Sequence, residues 1–331
     1  MVRSRAFAGA WTTLCPVRLK VRLFRDADAA PLAEWLDSLA PAEDVYTGTS
    51  VVHQRRMLPV RGRPIWLVAL VDGEQIGLGR EEPQIFGGRP GLRRTWIGVR
   101  ADLRRRGIGS RLWQEIEAHA RMVGGVSFRS WAVANNAEGA SFLLARDFSP
   151  VRRELQSWVD PAWVDERELE RLTSEARLRG FRVSTLREVL PRMEPALRRL
   201  FLAADGDVPG HQTTRADVAA NTFRRVILQN PMLDKDCSAV VLTGDQPVAL
   251  SWLKGDRGLG RHGVEFTGTA PGWRGQGLAA LAKLSALTLA AQGGVRWVGT
   301  ANDENNAPML AINRRIGHQP LADLVIYERT G

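Results

Sequence analysis

The sequence contains little cysteine, few lysines and no long apolar run. Cys15 and Cys237 are the only cysteines among 331 residues, too few for a disulfide framework or a cysteine-based metal site. No apolar run approaches the ~20 residues that a membrane span needs. The arginine-containing N-terminus lacks a convincing cleavage site, so we interpret residues 1–18 as a loose extension rather than a signal peptide. We therefore expect a cytoplasmic protein with no metal site and no membrane partner.

Arginine, not lysine, supplies almost all of the positive charge. The formal net charge is +10, yet the only lysines are Lys20, Lys235, Lys254 and Lys283. The excess charge is spread over both halves of the chain, and no helix-turn-helix, zinc-finger or single-strand-binding motif accompanies it. Nucleic-acid binding is therefore an unsupported alternative. The length of 331 residues predicts two domains of ordinary core volume.

Two similar stretches each lie between a β-type run and an apolar-periodic helix. The first is Arg104 to Gly109, which reads Arg-Arg-Arg-Gly-Ile-Gly, and the second is Arg274 to Ala279, which reads Arg-Gly-Gln-Gly-Leu-Ala. Glycine lets the backbone approach a ligand closely, and the first N–H groups of a helix have no partner within it. Such a turn suits an anionic phosphate. Alternatively, the glycines only permit close packing of the helix on the strand.

The surroundings of these turns repeat at a constant distance. Arg274 follows Arg104 by 274 − 104 = 170 positions, and Asn306 follows Asn136 by 306 − 136 = 170 positions. An ungapped repeat of strand, turn, helix, strand and Asn-Asn-Ala indicates that one α/β unit was duplicated. We predict a first domain over residues 19–160, a linker helix over 161–180 and a second domain over 181–331.

Local signals predict the elements within each domain. Asp72-Gly73 and Gly244-Asp245 indicate two β-hairpins. The other helix signals are Asp28 as N-cap of a helix over residues 29–39, Thr185 with Glu188 as a capping box, Pro191 and Pro195, which interrupt or reshape the helix that follows, and Thr214 with Asp217 as a further helix start.

At this point the chain resembles a known family, the GNAT acyl-coenzyme A N-acyltransferases, in tandem form. The resemblance covers nearly the whole chain from about residue 19 and is carried by the two turns and by the helices that follow Asn136 and Asn306. The second of these helices is similar to a subgroup pattern with Asn306, Met309, Asn313 and Gly317. The resemblance implies an α/β fold of the α+β type: two domains, each a bent mixed sheet flanked by helices, with strands 4 and 5 splayed apart.

The resemblance also implies acetyl-coenzyme A, or another acyl-coenzyme A, as co-substrate. Its pantetheine arm is expected on the fourth strand and its pyrophosphate on the turn, with one asparagine contact from the next helix. In the first domain these residues are Ile97, Gly98, Val99, Arg105, Arg106, Gly107, Ile108, Gly109, Ser110 and Asn136. In the second they are Thr267, Gly268, Thr269, Gly275, Gln276, Gly277, Leu278, Ala279, Ala280 and Asn306. The alternative for the asparagines is that they are helix caps.

The tyrosine that commonly protonates the leaving thiolate in this family is missing from both copies. Its positions hold Leu143 and Asn313. On the fourth strand the second copy carries Glu265, where the first has Thr95. We hypothesise that the second domain is catalytic, with Glu265 as general base and Asn313 polarising the sulfur. A surface-facing or salt-bridged Glu265 is the alternative.

The leading functional prediction is an acyl-coenzyme A dependent N-acetyltransferase that acts on the primary amine of a small molecule. A non-catalytic coenzyme A binding or regulatory protein is the alternative, because both tyrosines are missing. The protein is expected to be a monomer or a homodimer. The sequence does not identify the acceptor.

Overall fold

The computed structural model describes residues 19–84, 90–206 and 220–330. The first half contains β1 (Leu19–Leu23), α1 (Ala29–Leu36), α2 (Gly48–Met57), β2 (Ile65–Val71), β3 (Glu74–Pro83), β4 (Leu92–Val99), α3 (Ile108–Met122), β5 (Ser127–Val133), α4 (Ala137–Leu144) and β6 (Ser149–Val159). Helix α5 (Glu166–Leu178) then connects the two halves.

The second half repeats this order. It contains β7 (Phe181–Thr185), α6 (Leu186–Asp205), α7 (Ala220–Phe223), β8 (Leu233–Thr243), β9 (Gln246–Asp256), β10 (Arg261–Thr269), α8 (Leu278–Gln292), β11 (Trp297–Asp303), α9 (Ala307–Ile316), β12 (Gln319–Pro320) and β13 (Leu324–Thr330). The predicted order of helices and strands is thus confirmed in the part of the chain that the structure describes. None of the described helices is long and apolar enough to cross a membrane.

Both predicted hairpins are present, and the turn of each contains the predicted glycine. Asp72 and Gly73 have φ angles of 51° and 88°, the two positive values that a tight primed turn requires. This turn joins β2 to β3 in antiparallel register. Gly244, with φ of 53°, lies in the equivalent turn between β8 and β9.

The predicted N-cap position of α1 is confirmed, the predicted interruption of α6 is wrong, and one prediction lies outside the described residues. Asp28 is the N-cap residue of α1, but its side chain makes no cap, because its carboxylate binds the Arg22 guanidinium at 2.7 Å and accepts the N–H of Arg25. Helix α6 continues through Pro191 and Pro195. Its apolar face packs into the core, and this packing outweighs the loss of two backbone donors. The predicted helix start at Thr214 and Asp217 lies outside the described residues.

The described strands form one sheet in which the halves exchange their last strands. Twelve of them follow the order β1-β2-β3-β4-β5-β13-β6-β11-β10-β9-β8-β7, and β12 pairs with β6. Strand β13, from the second half, pairs antiparallel with β5 and β6. Strand β6, from the first half, pairs antiparallel with β11. The chain therefore cannot be cut near residue 160 without removing a strand from each half of the sheet.

Each half places a core on both faces of its part of the sheet. In the first half, α3 and Leu67 belong to one cluster of buried residues, whereas α1, α2 and Val68 belong to another. Leu67 and Val68 are neighbours on β2, and successive side chains of a strand point to opposite faces. In the second half α5 and α8 cover one face and α6 the other.

Candidate functional site

The first predicted phosphate-binding turn connects β4 to α3 and contains residues with left-handed backbone angles. Arg105 and Gly107 have φ angles of 60° and 82°. Gly107 is the residue directly before α3, and the Nε of Arg104 donates to the carbonyl of Val99 at 3.1 Å. A side chain larger than glycine's is uncommon in the left-handed region, so Arg105 marks a turn whose shape the surroundings enforce. The first N–H groups of α3 are left free to bind an anion.

Strands β4 and β5 separate directly after three paired residues. They are parallel and pair from Leu92 with Ser127 to Arg94 with Arg129. Strand β4 continues to pair with β3 on its other side, as far as Val99 with Gly77. The edge of β4 that faces β5 is therefore open to the N–H and C=O groups of a ligand along Ile97 to Val99, except at the Val99 carbonyl, which accepts from Arg104.

A groove of about 1140 Å³ fills this divergence and extends to the turn. Its lining includes nearly all the residues predicted for the first domain: Ile97, Gly98, Val99, Arg105, Gly107, Ile108, Gly109, Ser110 and Asn136. Arg106 is exposed and is not among the lining residues. A groove of this size accommodates a long cofactor.

Asn136 and Asn306 are helix caps, which was the alternative interpretation. The Oδ1 of Asn136 accepts the N–H of Gly139 at 3.0 Å, and that of Asn306 accepts the N–H of Met309 at 3.3 Å. Asn136 also lines the groove. A contact of either side chain with the cofactor stays a prediction.

The second turn has the same backbone as the first. Gly275 and Gly277 have φ angles of 72° and 77°, and the Nε of Arg274 donates to the carbonyl of Thr269 at 3.5 Å. Strands β10 and β11 pair over three residues, ending at Gly263 with Gly299, and then diverge. The turn and the splay predicted for the second domain are thus present.

The divergence in the second half encloses a much smaller cavity, of about 210 Å³. Thr267 and Asn306 line it together with Glu265, but among the described residues its lining includes none from Arg274 to Ala280. Lys283, at the position of Trp113, is buried there and donates to the Oδ1 of Asn313. Burial lowers the pKa of Lys283 to about 7.

Asn313 is held inside the second half. Its Oδ1 accepts from Lys283, and its Nδ2 donates to the Oδ1 of Asn302 at 2.7 Å. Both sides of its amide are therefore already hydrogen bonded in this arrangement. Leu143, the matching residue in the first half, is a core residue.

Helix α5 packs over the helix that follows the second turn. Leu172 and Ala176 of α5 share a buried cluster with Leu278, Ala280 and Ile316. The Arg179 guanidinium, just beyond α5, donates to the carbonyl of Gln276 at 3.1 Å. Ala280 is buried in this packing, whereas Ser110, its counterpart in the first half, is exposed. The space that is an open groove in the first half therefore contains apolar side chains of α5 in the second.

A polar cavity of about 470 Å³ lies between the two halves. Four residues at the point of divergence line both this cavity and the first groove: Thr95, Trp96, Ser130 and Trp131. Glu265 also lines it, and its carboxylate lies 3.0 Å from the Nζ of Lys254. The same Nζ donates to Asp44 at 2.9 Å. Glu265 is thus salt-bridged, which was the alternative interpretation of this residue.

Glu43 is a feature of this cavity that the sequence analysis missed. Its Oε2 is buried without a hydrogen-bond partner among the described residues. Burial, together with the negative charges of Asp44 and Glu154, raises the pKa of Glu43 to about 8. An acidic pair after Pro41 is an ordinary loop sequence, so no local signal identifies it.

Among the described residues, metal-ligating atoms come together in the group Asp234, Cys237 and His262. The Asp234 carboxylate already accepts from His262 at 2.9 Å and from Arg257 at 2.7 Å. Burial raises the pKa of the Cys237 thiol to about 12, whereas a metal binds the thiolate. The group is therefore an internal ion-pair network.

Comparisons with known proteins agree with this geometry. Residues 30–148 match the family model described as the Acetyltransferase (GNAT) family. A GCN5-related N-acetyltransferase from Sphaerobacter thermophilus superposes with a TM-score of 0.66 at 18% identity, over 95% of this chain and 96% of that chain. No curated protein matches the sequence.

A tandem GNAT protein from the clavulanic acid biosynthesis pathway superposes with a TM-score of 0.70 at 21% identity, over 95% of this chain and 98% of that chain. The glucosamine N-acetyltransferase region of a fungal multi-domain β-N-acetylglucosaminidase gives a TM-score of 0.66 at 13% identity, covering 96% of this chain and 38% of that chain. At these identities the likeness shows the fold alone, two similar α/β units in tandem.

Proposed function

We propose that this tandem GNAT protein, whose residues 30–148 match the acetyltransferase family, transfers the acyl group of acyl-coenzyme A to a primary amine of a small molecule. We further propose that the first half carries out the reaction. The observation that carries this proposal is that the first groove and the cavity between the halves share lining residues at the divergence of β4 and β5.

The first groove fits the parts of acyl-coenzyme A in order. The free edge of β4 offers N–H and C=O groups to the amides of the pantetheine arm along Ile97 to Val99. The turn before α3 offers backbone N–H groups and the positive end of the helix dipole to the pyrophosphate. Arg105 is exposed beside it and adds positive charge.

The cavity between the halves supplies a place for the amine. Thr95 and Trp96 on β4, with Ser130 and Trp131 on β5, line both spaces, so a thioester at the divergence would face that cavity. Holding the two reactants in this relation can account for ~7–11 kcal/mol of the barrier in well-oriented systems. The missing tyrosine therefore does not exclude the reaction.

The hypothesis that the second half is catalytic stays untested. Three features favour the first half instead: the small second cavity, the packing of α5 beside the second turn, and the hydrogen bonds that hold Asn313. Glu265 still faces the shared cavity, so it would contribute to the acceptor site rather than to a second centre.

Two matched substitutions test which turn binds the cofactor. In Gly107→Asp and Gly277→Asp the new carboxylate stands directly before a helix and repels the pyrophosphate, while aspartate tolerates the left-handed backbone. In the described part of the chain no atom lies within 4 Å of a Cβ at Gly107, and at Gly277 the nearest is a Leu172 methyl at 3.7 Å. We expect acetyl-coenzyme A at 100 times its dissociation constant to stabilise the wild type and Gly277→Asp by ~2.7 kcal/mol, and Gly107→Asp far less.

Thermal unfolding with and without acetyl-coenzyme A measures this effect, and thiol release with a panel of primary amines measures turnover. Loss of binding in Gly277→Asp alone would move the site to the second half. Binding without turnover on any amine would favour the non-catalytic alternative.

A further inference from the structure

Glu43 lies in the loop between α1 and α2, where that loop passes from the cofactor groove to the cavity between the halves. Pro41 lines both spaces, Ala42 lines the groove and Glu43 lines the cavity. The inference about Glu43 rests on the proposed function, because it concerns the proton that an amine acceptor must lose.

Strands of both halves hold this loop in place: Gln156 lies on β6 of the first half, and Gly263 and Gly299 lie on β10 and β11 of the second. The N–H of Ala42 donates to the Oε1 of Gln156 at 2.5 Å. The carbonyl oxygens of Ala42 and Glu43 lie over Gly299 and Gly263, where an added Cβ would approach each oxygen to 1.9 Å. The backbone of Glu43 is therefore fixed at the last paired residues of β10 and β11, and its side chain is directed by both halves of the chain.

Among the described residues Glu43 has no salt-bridge partner, whereas three other carboxylates of the cavity each have one. Asp44 and Glu265 share Lys254, and Glu154 binds Arg152 at 2.5 Å. A carboxylate held by a cation is a poor proton acceptor, since the cation stabilises its charged form. The Oε2 of Glu43 is buried and has no hydrogen-bond partner in the part of the chain that the structure describes, so it is free to receive a proton from a molecule in the cavity.

The surroundings of Glu43 disfavour its negative charge. Burial is the main cause of its raised pKa, which is about 8, followed by repulsion from Asp44 and Glu154; Lys254 acts in the opposite direction. The charged and titratable residues that line the cavity are Glu43, Asp44, His53, Arg80, Glu82, Arg94, Arg129, Arg152, Glu154, Asp205, Lys254 and Glu265. Burial lowers the pKa of His53.

We propose that Glu43 is the general base, which takes a proton from the ammonium group of an acceptor that carries a single positive charge. In the first step the N–H bond of the ammonium breaks and the proton moves to the Glu43 carboxylate. The neutral amine then forms a C–N bond to the thioester carbon, and the C–S bond breaks with its electron pair on sulfur. The second amine proton reaches the thiolate through water, and Glu43 returns its proton to solvent.

The charge balance of the cavity indicates the class of acceptor. Among the described lining residues six are carboxylates and five are arginine or lysine. With Glu43 ionised, one negative charge is in excess, and one ammonium group neutralises it. A monocation with an otherwise uncharged polar body therefore fits better than a dication or a zwitterion.

The test measures thiol release from acetyl-coenzyme A as a function of pH for the wild type, Glu43→Gln and Glu43→Asp. Glu34→Gln is the matched control, because Glu34 is an exposed carboxylate on α1. The probes are glucosamine and ethanolamine as monocations, putrescine as a dication and glycine as a zwitterion. Acetyl-coenzyme A binding is measured separately by thermal shift.

We expect kcat/KM of the wild type to rise as the pH passes through about 8, since the base acts in its ionised form. Glu43→Gln should lose about 100-fold or more and also lose this rise, while its affinity for acetyl-coenzyme A and the activity of Glu34→Gln remain unchanged. Glu43→Asp should retain the rise with reduced activity. A monocation should be at least tenfold better than putrescine or glycine.

The two proposals fail differently. Absence of acetyl-coenzyme A binding, or of turnover with every amine, overturns the proposed function. Turnover in Glu43→Gln within threefold of wild type, with the same pH dependence, overturns the role of Glu43 and leaves the acyltransferase intact. If Glu43→Gln does not fold, a wild-type profile that is flat from pH 7 to pH 9 overturns it equally.

Discussion

At Lys283 and Asn313 the side chains of the second half differ in polarity from their counterparts in the first half. Their counterparts, Trp113 and Leu143, are apolar core residues of the first half. A lysine that is 1% exposed, with one neutral hydrogen-bond acceptor, is costly to keep charged. The second half therefore contains a buried amine where the first has an indole.

We predict that Lys283→Met stabilises the protein at neutral pH. Burial lowers the pKa of Lys283 from 10.5 to about 7, and each unit corresponds to ~1.4 kcal/mol. After the loss of the hydrogen bond to Asn313, we expect a net gain of roughly 1–3 kcal/mol at pH 7.

The sign of the pH dependence follows from the lowered pKa. Between about pH 7 and 10.5 the unfolded lysine binds more protons than the folded one, so wild-type stability rises with pH over this window. The advantage of Lys283→Met should therefore shrink from pH 7 to pH 9, as measured by urea unfolding. Lys20→Met, at an exposed lysine of β1, is the control and should change stability by less than ~0.5 kcal/mol at either pH. A gap that widens with pH would contradict the prediction.

The loop that connects α1 to α2 packs against the strand pair β10–β11 of the second half. Asp37 binds Arg261 across the halves, and the carbonyls of Ala42 and Glu43 rest on two glycines. A strand residue without a side chain allows another backbone to approach closely. This contact sets where the loop lies relative to the cofactor groove.

We predict that Gly263→Ala displaces this loop. A Cβ at Gly263 would lie 1.9 Å from the Glu43 carbonyl oxygen, so the loop backbone must move. Overpacking of this kind costs about 1–3 kcal/mol. Amine turnover should fall at least tenfold, while the affinity for acetyl-coenzyme A stays within threefold of wild type.

Gly272→Ala is the control for this substitution, because no atom of the described residues lies within 4 Å of a Cβ there. Steady-state kinetics with thermal unfolding distinguish the two effects. Unchanged turnover in Gly263→Ala would show that the position of the loop does not limit the reaction.

Elements governed by neighbouring residues could be predicted from the sequence. The hairpin at Asp72-Gly73, the capping box at Thr185 and both glycine turns depend on local backbone preferences, and all are present. Asp28 is the predicted N-cap residue of α1, but its side chain makes no cap because its carboxylate binds Arg22 on β1. The unpartnered state of Glu43 could not be predicted, since it arises only when the two halves pack together.

The described strands of both halves form a single sheet, and the two halves exchange strands at its centre. Neither half of the sheet is therefore complete without the other. Periodicity predicts that β6 and β13 are strands, but it does not specify their partners, because register and pairing are set by distant residues. The predicted division near residue 160 concerns the order of the elements along the chain, not the order of the strands in the sheet. The sheet itself places β13 between β5 and β6.

We predict that removal of residues 322–331 abolishes acetyl-coenzyme A binding in the first half. Without β13, strand β5 loses the partner along its edge and Tyr327 leaves the first-half core. Thermal shift should show no stabilisation by acetyl-coenzyme A. The control is a synthetic peptide of residues 322–331 added in trans, which should restore part of the binding; binding by the truncated chain alone would contradict the prediction.

The strand exchange also determines when the protein can fold during synthesis. Leu324 follows Val133 by 324 − 133 = 191 residues, and a ribosome that adds about 5–20 residues per second needs roughly 10–40 s to make them. During this delay β5 has left the exit tunnel, but the edge that pairs with β13 has no partner strand. Such an unpaired edge is shielded by chaperones and aggregates when it is unprotected. The groove in the first half is thus finished only after the second half has been translated, and a chain that is interrupted before β13 lacks the strand that pairs with β5.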